Sequence, residues 1–193
     1  MKTVIIKYNA GNVQSVLFAL ERIGVKGILS DNADEINSAD KVIFPGVGEA
    51  GSAMKFLKEK NLDTVIKYLK QPTLGICLGM QLMCKHSEEG NTVCLGIFPL
   101  QVKKFVGDFK IPQIGWNNIY DLKGNLFSDL KENEYMYFVH GYYAESGNDT
   151  VGKTNYILEY SSALQKNNFY GVQFHPEKSS TAGEKILENF LKL

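Results

Sequence analysis

An excess of charge of one sign is missing from this chain of 193 residues, in which 21 basic and 21 acidic side chains balance. That removes the usual signature of a nucleic-acid or membrane-surface partner. No apolar run approaches the roughly 20 residues of a membrane span. Cysteine is scarce: Cys77, Cys84 and Cys94 form an odd set, and none of their spacings is that of a zinc site or a redox pair. No metal is therefore expected, and a reduced, cytoplasmic setting is the default. Residues 1–8 read as a strand, without the charged-then-apolar layout of a signal peptide. Repeats, low-complexity tracts and long linkers are absent as well. One domain over residues 1–193 is expected, long enough to bury a sizeable core.

What is present is a change of pattern half-way. Strand-like runs at 3–8, 27–30, 41–44 and 72–76 alternate with helix-like runs at 12–23, 52–60, 62–70 and 78–86. A further helical turn is expected at 34–38, and the strand at 41–44 is expected to stop at Pro45-Gly46. This βα alternation implies an α/β fold, with an open, mostly parallel central sheet covered by helices on both faces. Its site would lie at the C-terminal strand ends. After Gly90 the runs at 100–106, 135–143, 155–161 and 169–174 are strand-like and separated by turn residues. They imply added antiparallel strands, with a hairpin turn at 166–168 and a closing helix at 182–193.

Within Leu74-Gly75-Ile76-Cys77-Leu78-Gly79-Met80-Gln81-Leu82-Met83, a strand, Gly-x-Cys-x-Gly and a helix follow one another. That is a nucleophile-elbow layout with cysteine in place of serine. The glycines leave room where backbones approach closely. The following helix N-terminus favours a thiolate, and the Leu78 N–H points into the same space. A buried cysteine in a Gly-bordered turn is the plain alternative. A thiolate nucleophile needs a proton acceptor with an orienting group. His86 lies more than two turns along the same helix and cannot reach back, and His140 lies inside a strand-like run. His175 follows the last strand, and Glu177, two residues on, points the same way in extended chain. An exposed His-Pro-Glu turn without a role is the alternative there.

Gly75-Ile76-Cys77-Leu78-Gly79-Met80-Gln81 together with Gln173-Phe174-His175-Pro176-Glu177 resembles the class I (triad) glutamine amidotransferases, in that family's order Cys, His, Glu. Pro45-Gly46-Val47-Gly48, Ile114-Gly115-Trp116-Asn117 and Tyr137-Phe138-Val139-His140 narrow the likeness to the glutaminase subunits of imidazole glycerol phosphate synthase. The resemblance runs from Tyr8 to the C-terminus and implies the class I amidotransferase (flavodoxin-like) fold. It implies that Cys77 attacks the side-chain amide of L-glutamine, that His175 carries protons and that Glu177 orients His175, with no cofactor. The oxyanion would be held by the N–H of Leu78 and by backbone of Gly46 or Val47, after reorientation of the Pro45–Gly48 loop.

The same resemblance implies that Gly48, Gln81, Glu89, Gly141 and Tyr142 line the glutamine pocket, with Glu89 meeting the substrate ammonium. Glu88 stays open as the alternative, since the choice rests on counting from Cys77. Position 141 departs from the family's usual Ser or Thr, so only a backbone contact survives there. The implied partner is a (β/α)₈-barrel cyclase subunit that consumes the ammonia in histidine biosynthesis, forming a heterodimer. Asn12, Trp116 and Tyr137 are the interface candidates, with helix capping the alternative for Asn12 and core packing for Trp116. A glutaminase feeding a different, sugar-modifying synthase, and a stand-alone cysteine hydrolase, are the competing functions. Cys84 and Cys94 are expected to be small core residues.

Overall fold

The computed structural model describes residues 1–9 and 13–193; the interface candidate Asn12 lies outside them. Strands β1 (Thr3–Ile6), β2 (Gly27–Ser30), β3 (Lys41–Gly46) and β4 (Thr73–Cys77) alternate with helices α1 (Val13–Arg22), α2 (Ala33–Asn37), α3 (Ala50–Glu59) and α4 (Leu62–Lys67). Helix α5 (Leu78–Met83) starts directly after β4. The second half holds β5 (His86–Ser87), β6 (Thr92–Val93), β7 (Gln101–Lys104), β8 (Gln113–Ile119), β9 (Glu134–His140), β10 (Tyr142–Ala144), β11 (Thr150–Tyr156), β12 (Leu158–Lys166) and β13 (Phe169–Val172), and then α6 (Ser180–Lys192).

The central strands run β2-β1-β3-β4-β13, all parallel. The sheet continues through β12, β10, β7, β5 and β6, where antiparallel pairs predominate, and β11 flanks β12. Successive side chains of a strand alternate between faces, and both faces of the centre are apolar. Val4, Ile6, Val42 and Phe44 pack with α3, α4 and α5. Ile5, Ile43, Leu74 and Ile76 pack with α1 and α6. Burial on both sides explains why the four residues of β1 are all apolar or β-branched and fully covered.

Several boundaries differ from the sequence reading for local reasons. The strand at 41–44 extends through Pro45 and Gly46, which pair with Ile76 and Cys77 at the end of the ladder. The helix expected to reach residue 86 stops at Met83. Cys84 is extended, the Lys85 N–H donates to the Leu100 carbonyl and the Cys94 N–H donates to the Lys85 carbonyl, so His86 belongs to a strand. The expected strand at 135–143 divides at Gly141: β9 pairs only with β8, while β10 joins the main sheet. The run at 155–161 is a tight hairpin between β11 and β12, turning at Ile157 with φ 67°. The 166–168 turn is observed, with Lys166 opposite Phe169.

The ribbon of β8 and β9 presents two unlike faces. Ile119, Met136, Phe138 and His140 point into the core. On the other face Trp116 pairs with Tyr137 and Ile114 with Val139. There Ile114, Trp116 and Tyr135 are 58%, 53% and 59% exposed.

Candidate active site

Cys77 ends β4 with φ 53° and ψ −109°, a conformation that only a tight surround holds in a residue with a side chain. Such strain costs about 1–3 kcal/mol and is met mostly at functional sites. The two glycines make the elbow possible by their lack of bulk. A Cβ on Gly79 would drive into the carbonyl oxygen of Phe44, and one on Gly75 would come within 2.8 Å of the backbone nitrogen of Met80. Cys77 is 6% exposed. Its Sγ lies 3.7 Å from the Val139 carbonyl oxygen, and the Gln173 amide nitrogen lies 3.6 Å from it.

β13 lies beside β4 in parallel register, with Val172 opposite Ile76, so the segment leaving β13 emerges next to the elbow. That segment carries His175. Its backbone N–H donates to the Tyr137 carbonyl at 2.9 Å, and the Ser179 hydroxyl donates to its carbonyl at 2.6 Å. Nδ1 of His175 lies 2.8 Å from Oε1 of Glu177, and both side chains are 2% exposed. An ionised carboxylate only accepts, so Nδ1 carries the proton of this bond. Nε2 is buried, with no hydrogen-bond partner among the described residues. Burial opposes protonation of His175, but the Cys77 sulfur and Glu177 outweigh it and lift its pKa to about 10.

The other two histidines are engaged elsewhere. His86 Nε2 lies 2.9 Å from the Asn91 side-chain oxygen at the sheet edge. His140 Nδ1 lies 2.7 Å from the Tyr142 carbonyl and Nε2 lies 3.1 Å from the Tyr160 hydroxyl. Burial holds the His140 pKa down to about 4, so its ring is neutral near pH 7.

A cavity of about 250 Å³ opens over Cys77, walled by Val47, Gly48, Leu78, Gln81, Glu89, Gly141 and Tyr142, with Pro112, Val139 and His140. All five residues expected to line the glutamine pocket are on this wall. Of the expected oxyanion groups, Leu78 and Val47 border the cavity. Gly46 is not on the wall; a Cβ added there would meet the Tyr8 hydroxyl and Leu78. The Tyr8 hydroxyl donates to the Pro45 carbonyl at 2.7 Å, pinning the strand that leads into Val47.

Glu89 and Glu88 separate clearly. Oε2 of Glu89 accepts the Ala50 N–H at 2.9 Å at the start of α3, whereas Glu88 accepts the Lys104 N–H at 2.7 Å. Burial raises the Glu89 pKa, the Ala50 hydrogen bond opposes that, and the nearby Glu49 charge adds to it. A cation beside Glu89 would relieve that penalty. The set thus offers a thiol with an adjacent imidazole–carboxylate pair and a pocket that bears a carboxylate. Those are the parts needed for nucleophilic attack on a small amide carrying a positive charge. Among the described residues no cluster of His, Cys, Asp and Glu has the arrangement of a metal site.

The model of the family described as glutamine amidotransferase class-I matches residues 4–193. The chain belongs to that family. It is 54% identical to imidazole glycerol phosphate synthase subunit HisH of Bacteroides fragilis, over 100% of both chains. To the subunit of the same name from Vibrio parahaemolyticus it is 44% identical, covering 100% of this chain and 98% of that one. A solved glutamine amidotransferase from Thermotoga maritima superposes with a TM-score of 0.67 at 17% identity, over 100% of this chain and 83% of that one. At that identity the likeness bears on the fold.

One polar residue beside Cys77 carried no expectation. Gln173 is fully buried, and its amide touches both Gln81 and Cys77. A signal for it existed: Val172 and Phe174 face the α1–α6 side of the sheet, so alternation turns residue 173 toward α5, where an amide is out of place without a partner. Gln81 is likewise 4% exposed rather than solvated.

Trp116 and Tyr137 lie on the outward face of the ribbon, with ring centroids 5.9 Å apart. Trp116 is therefore not a core residue. Cys84 and Cys94 are buried and free, and burial raises both thiol pKa values, that of Cys94 to about 11. Among the described residues no helix is long and apolar enough to cross a membrane.

Proposed function

We propose that residues 1–193 form one amidotransferase domain that hydrolyses L-glutamine at Cys77 and passes the ammonia to a cyclase subunit of imidazole glycerol phosphate synthase in histidine biosynthesis. The observation that carries this reading is that Cys77, on the wall of a cavity that also bears Glu89, adjoins the buried His175–Glu177 pair. His175 already holds the thiol proton as an imidazolium, and the Cys77 thiolate attacks the carboxamide carbon. The oxyanion is met by the N–H groups of Leu78 and Val47. His175 returns the proton to the leaving ammonia, and a γ-glutamyl thioester remains. Water, deprotonated by the same imidazole, then releases glutamate and regenerates the thiol. Glu89 receives the substrate ammonium, and Gly141 offers backbone only.

Near-complete coverage of relatives at 54% and 44% identity favours the histidine-pathway acceptor over a sugar-modifying one. The exposed face of Ile114, Trp116 and Tyr135 supports a docked partner, because aromatic side chains anchor interfaces. Val139 of the same strand reaches the cavity, so ammonia released at Cys77 would emerge beneath the covered face. A cytoplasmic setting suits three free thiols. The test is glutamine hydrolysis by the purified chain, titrated with the barrel cyclase. Turnover that rises with the partner and vanishes in Cys77→Ala supports the reading. High turnover unchanged by the partner refutes delivery, and alkylation at Cys84 or Cys94 with Cys77→Ala still active refutes the nucleophile.

A further inference from the structure

The amide of Gln173 has one orientation open to it, and the reason lies two hydrogen bonds away. The Tyr142 carbonyl can only accept, so the Gln81 side chain must turn its nitrogen toward it, at 2.9 Å. The same Gln81 nitrogen then faces Gln173 at 2.8 Å, and that contact must be with the Gln173 oxygen. The Gln173 nitrogen is left facing Cys77, 3.6 Å from Sγ, within reach of an N–H donor to sulfur. No other assignment satisfies the chain from Tyr142 to the thiol. Gln173 itself is fully buried and Gln81 nearly so, so the network is shielded from exchange with water. A buried amide left without partners is costly, which locks the arrangement further.

We propose that Gln173 is a further catalytic residue of the glutaminase reaction, donating an N–H hydrogen bond to Cys77 Sγ in an orientation set by Gln81. The proposal rests on Cys77 being the nucleophile. A hydrogen bond to sulfur is strongest when the sulfur is anionic. The Gln173 bond therefore holds the thiolate in place opposite His175 and weakens when the sulfur becomes part of the thioester. It strengthens again as the thiolate departs, so it favours hydrolysis of the acyl-enzyme over its accumulation. Gln81 consequently does two things at once. Its nitrogen is committed to Tyr142 and Gln173, and its oxygen remains the atom with which it can meet the substrate.

The experiment compares Gln173→Met, Gln173→Glu and Gln81→Met with the parent in the full chain. The glutamate variant keeps an acceptor for Gln81 but has no N–H for the sulfur. The rate of iodoacetamide alkylation at Cys77 is followed against pH by peptide mapping, counting only molecules that take up label at that position. Glutamine turnover is measured with saturating cyclase. The expected result for both Gln173 variants is a loss in kcat of about 10- to 100-fold, the worth of a hydrogen bond to a charged acceptor. The alkylation profile is expected to move to higher pH by about one unit, which is about tenfold in the equilibrium between the protonation states. KM for glutamine changes less than kcat in Gln173→Glu. Gln81→Met, which frees the Gln173 amide without removing it, gives a smaller shift of the same sign.

Alkylation profiles that superimpose on the parent in all three variants overturn the proposal, as does kcat within twofold in Gln173→Glu. In that case label still on Cys77 leaves the glutaminase reading standing. Label on Cys84 or Cys94, with Cys77→Ala active, removes the reading itself.

Discussion

Replacing Gly79 by alanine adds one methyl group at the tightest point of the elbow. The new Cβ would be driven into the Phe44 carbonyl oxygen, a backbone atom of β3 that no rotamer change can move. Overpacking a core by one such group costs about 1–3 kcal/mol, and a backbone obstacle puts this site at the upper end. At roughly 2–4 °C per kcal/mol for a chain of this size, Gly79→Ala should melt about 6–12 °C below the parent. The strand that gives way leads into Pro45–Gly48, so glutamine turnover should fall with it. Gly141→Ala is the control. Its Cβ would meet only Ile111 and Pro112 side-chain atoms at 3.8 Å, an ordinary contact, and its melting temperature should stay within about 2 °C of the parent, as surface-like substitutions do. Thermal unfolding followed by circular dichroism, with turnover measured alongside, decides it. A Gly79→Ala protein that melts with the parent refutes the argument that close approach of α5 and β3 requires glycine.

Stability should also depend on alkaline pH. The folded pKa of His175 is raised to about 10, above the ordinary value of about 6.5. Its contribution is therefore complete below about pH 6.5 and is lost as pH rises toward 10. The melting temperature should decline across that window, and less steeply in His175→Asn; equal slopes would count against it. Glu177→Gln removes the carboxylate that holds Nδ1, so turnover should fall by 10²-fold or more, on the order expected when an orienting partner is lost, with the fold retained by circular dichroism. Trp116→Ala should weaken cyclase binding by at least about tenfold, as loss of an interface aromatic does, while leaving the melting temperature of the isolated chain unchanged. Titration calorimetry reads the first and thermal unfolding the second.

Much of this architecture was open to inspection in the chain itself. Period-two and period-3.6 patterns located β1 to β4 and α1, because those elements are buried on their apolar faces and nothing overrides their propensity. The elbow was legible because Gly75 and Gly79 bracket Cys77 in the chain, although only Gly75 is required by a contact close in sequence, Gly79 being required by the distant Phe44 carbonyl. What escaped notice depended on long-range pairing. The end of α5 at Met83 is set by hydrogen bonds to residues 94–100. The break at Gly141 is set by a change of sheet. Gln173 stood in plain view within a quoted motif, yet its role exists only once Gln81 and Cys77 are brought to it from elsewhere in the chain. Glu88 and Glu89 could not be told apart by counting, and their separation came from which backbone N–H each accepts.

The ribbon of β8 and β9 has a further consequence for the life of the thiol. Its inner backbone forms part of the wall: Tyr137 accepts the His175 N–H, the Tyr137 N–H donates to Ser179, and the Val139 carbonyl faces the sulfur. A two-stranded ribbon is the least self-sufficient kind of sheet, and its opening is a local event that need not unfold the domain. Each opening would admit water and peroxide to Cys77, the proposed nucleophile. A protein seated on Ile114, Trp116 and Tyr135 would hold the ribbon shut, so a chain left without its partner should accumulate oxidised Cys77 during storage faster than the same chain in complex.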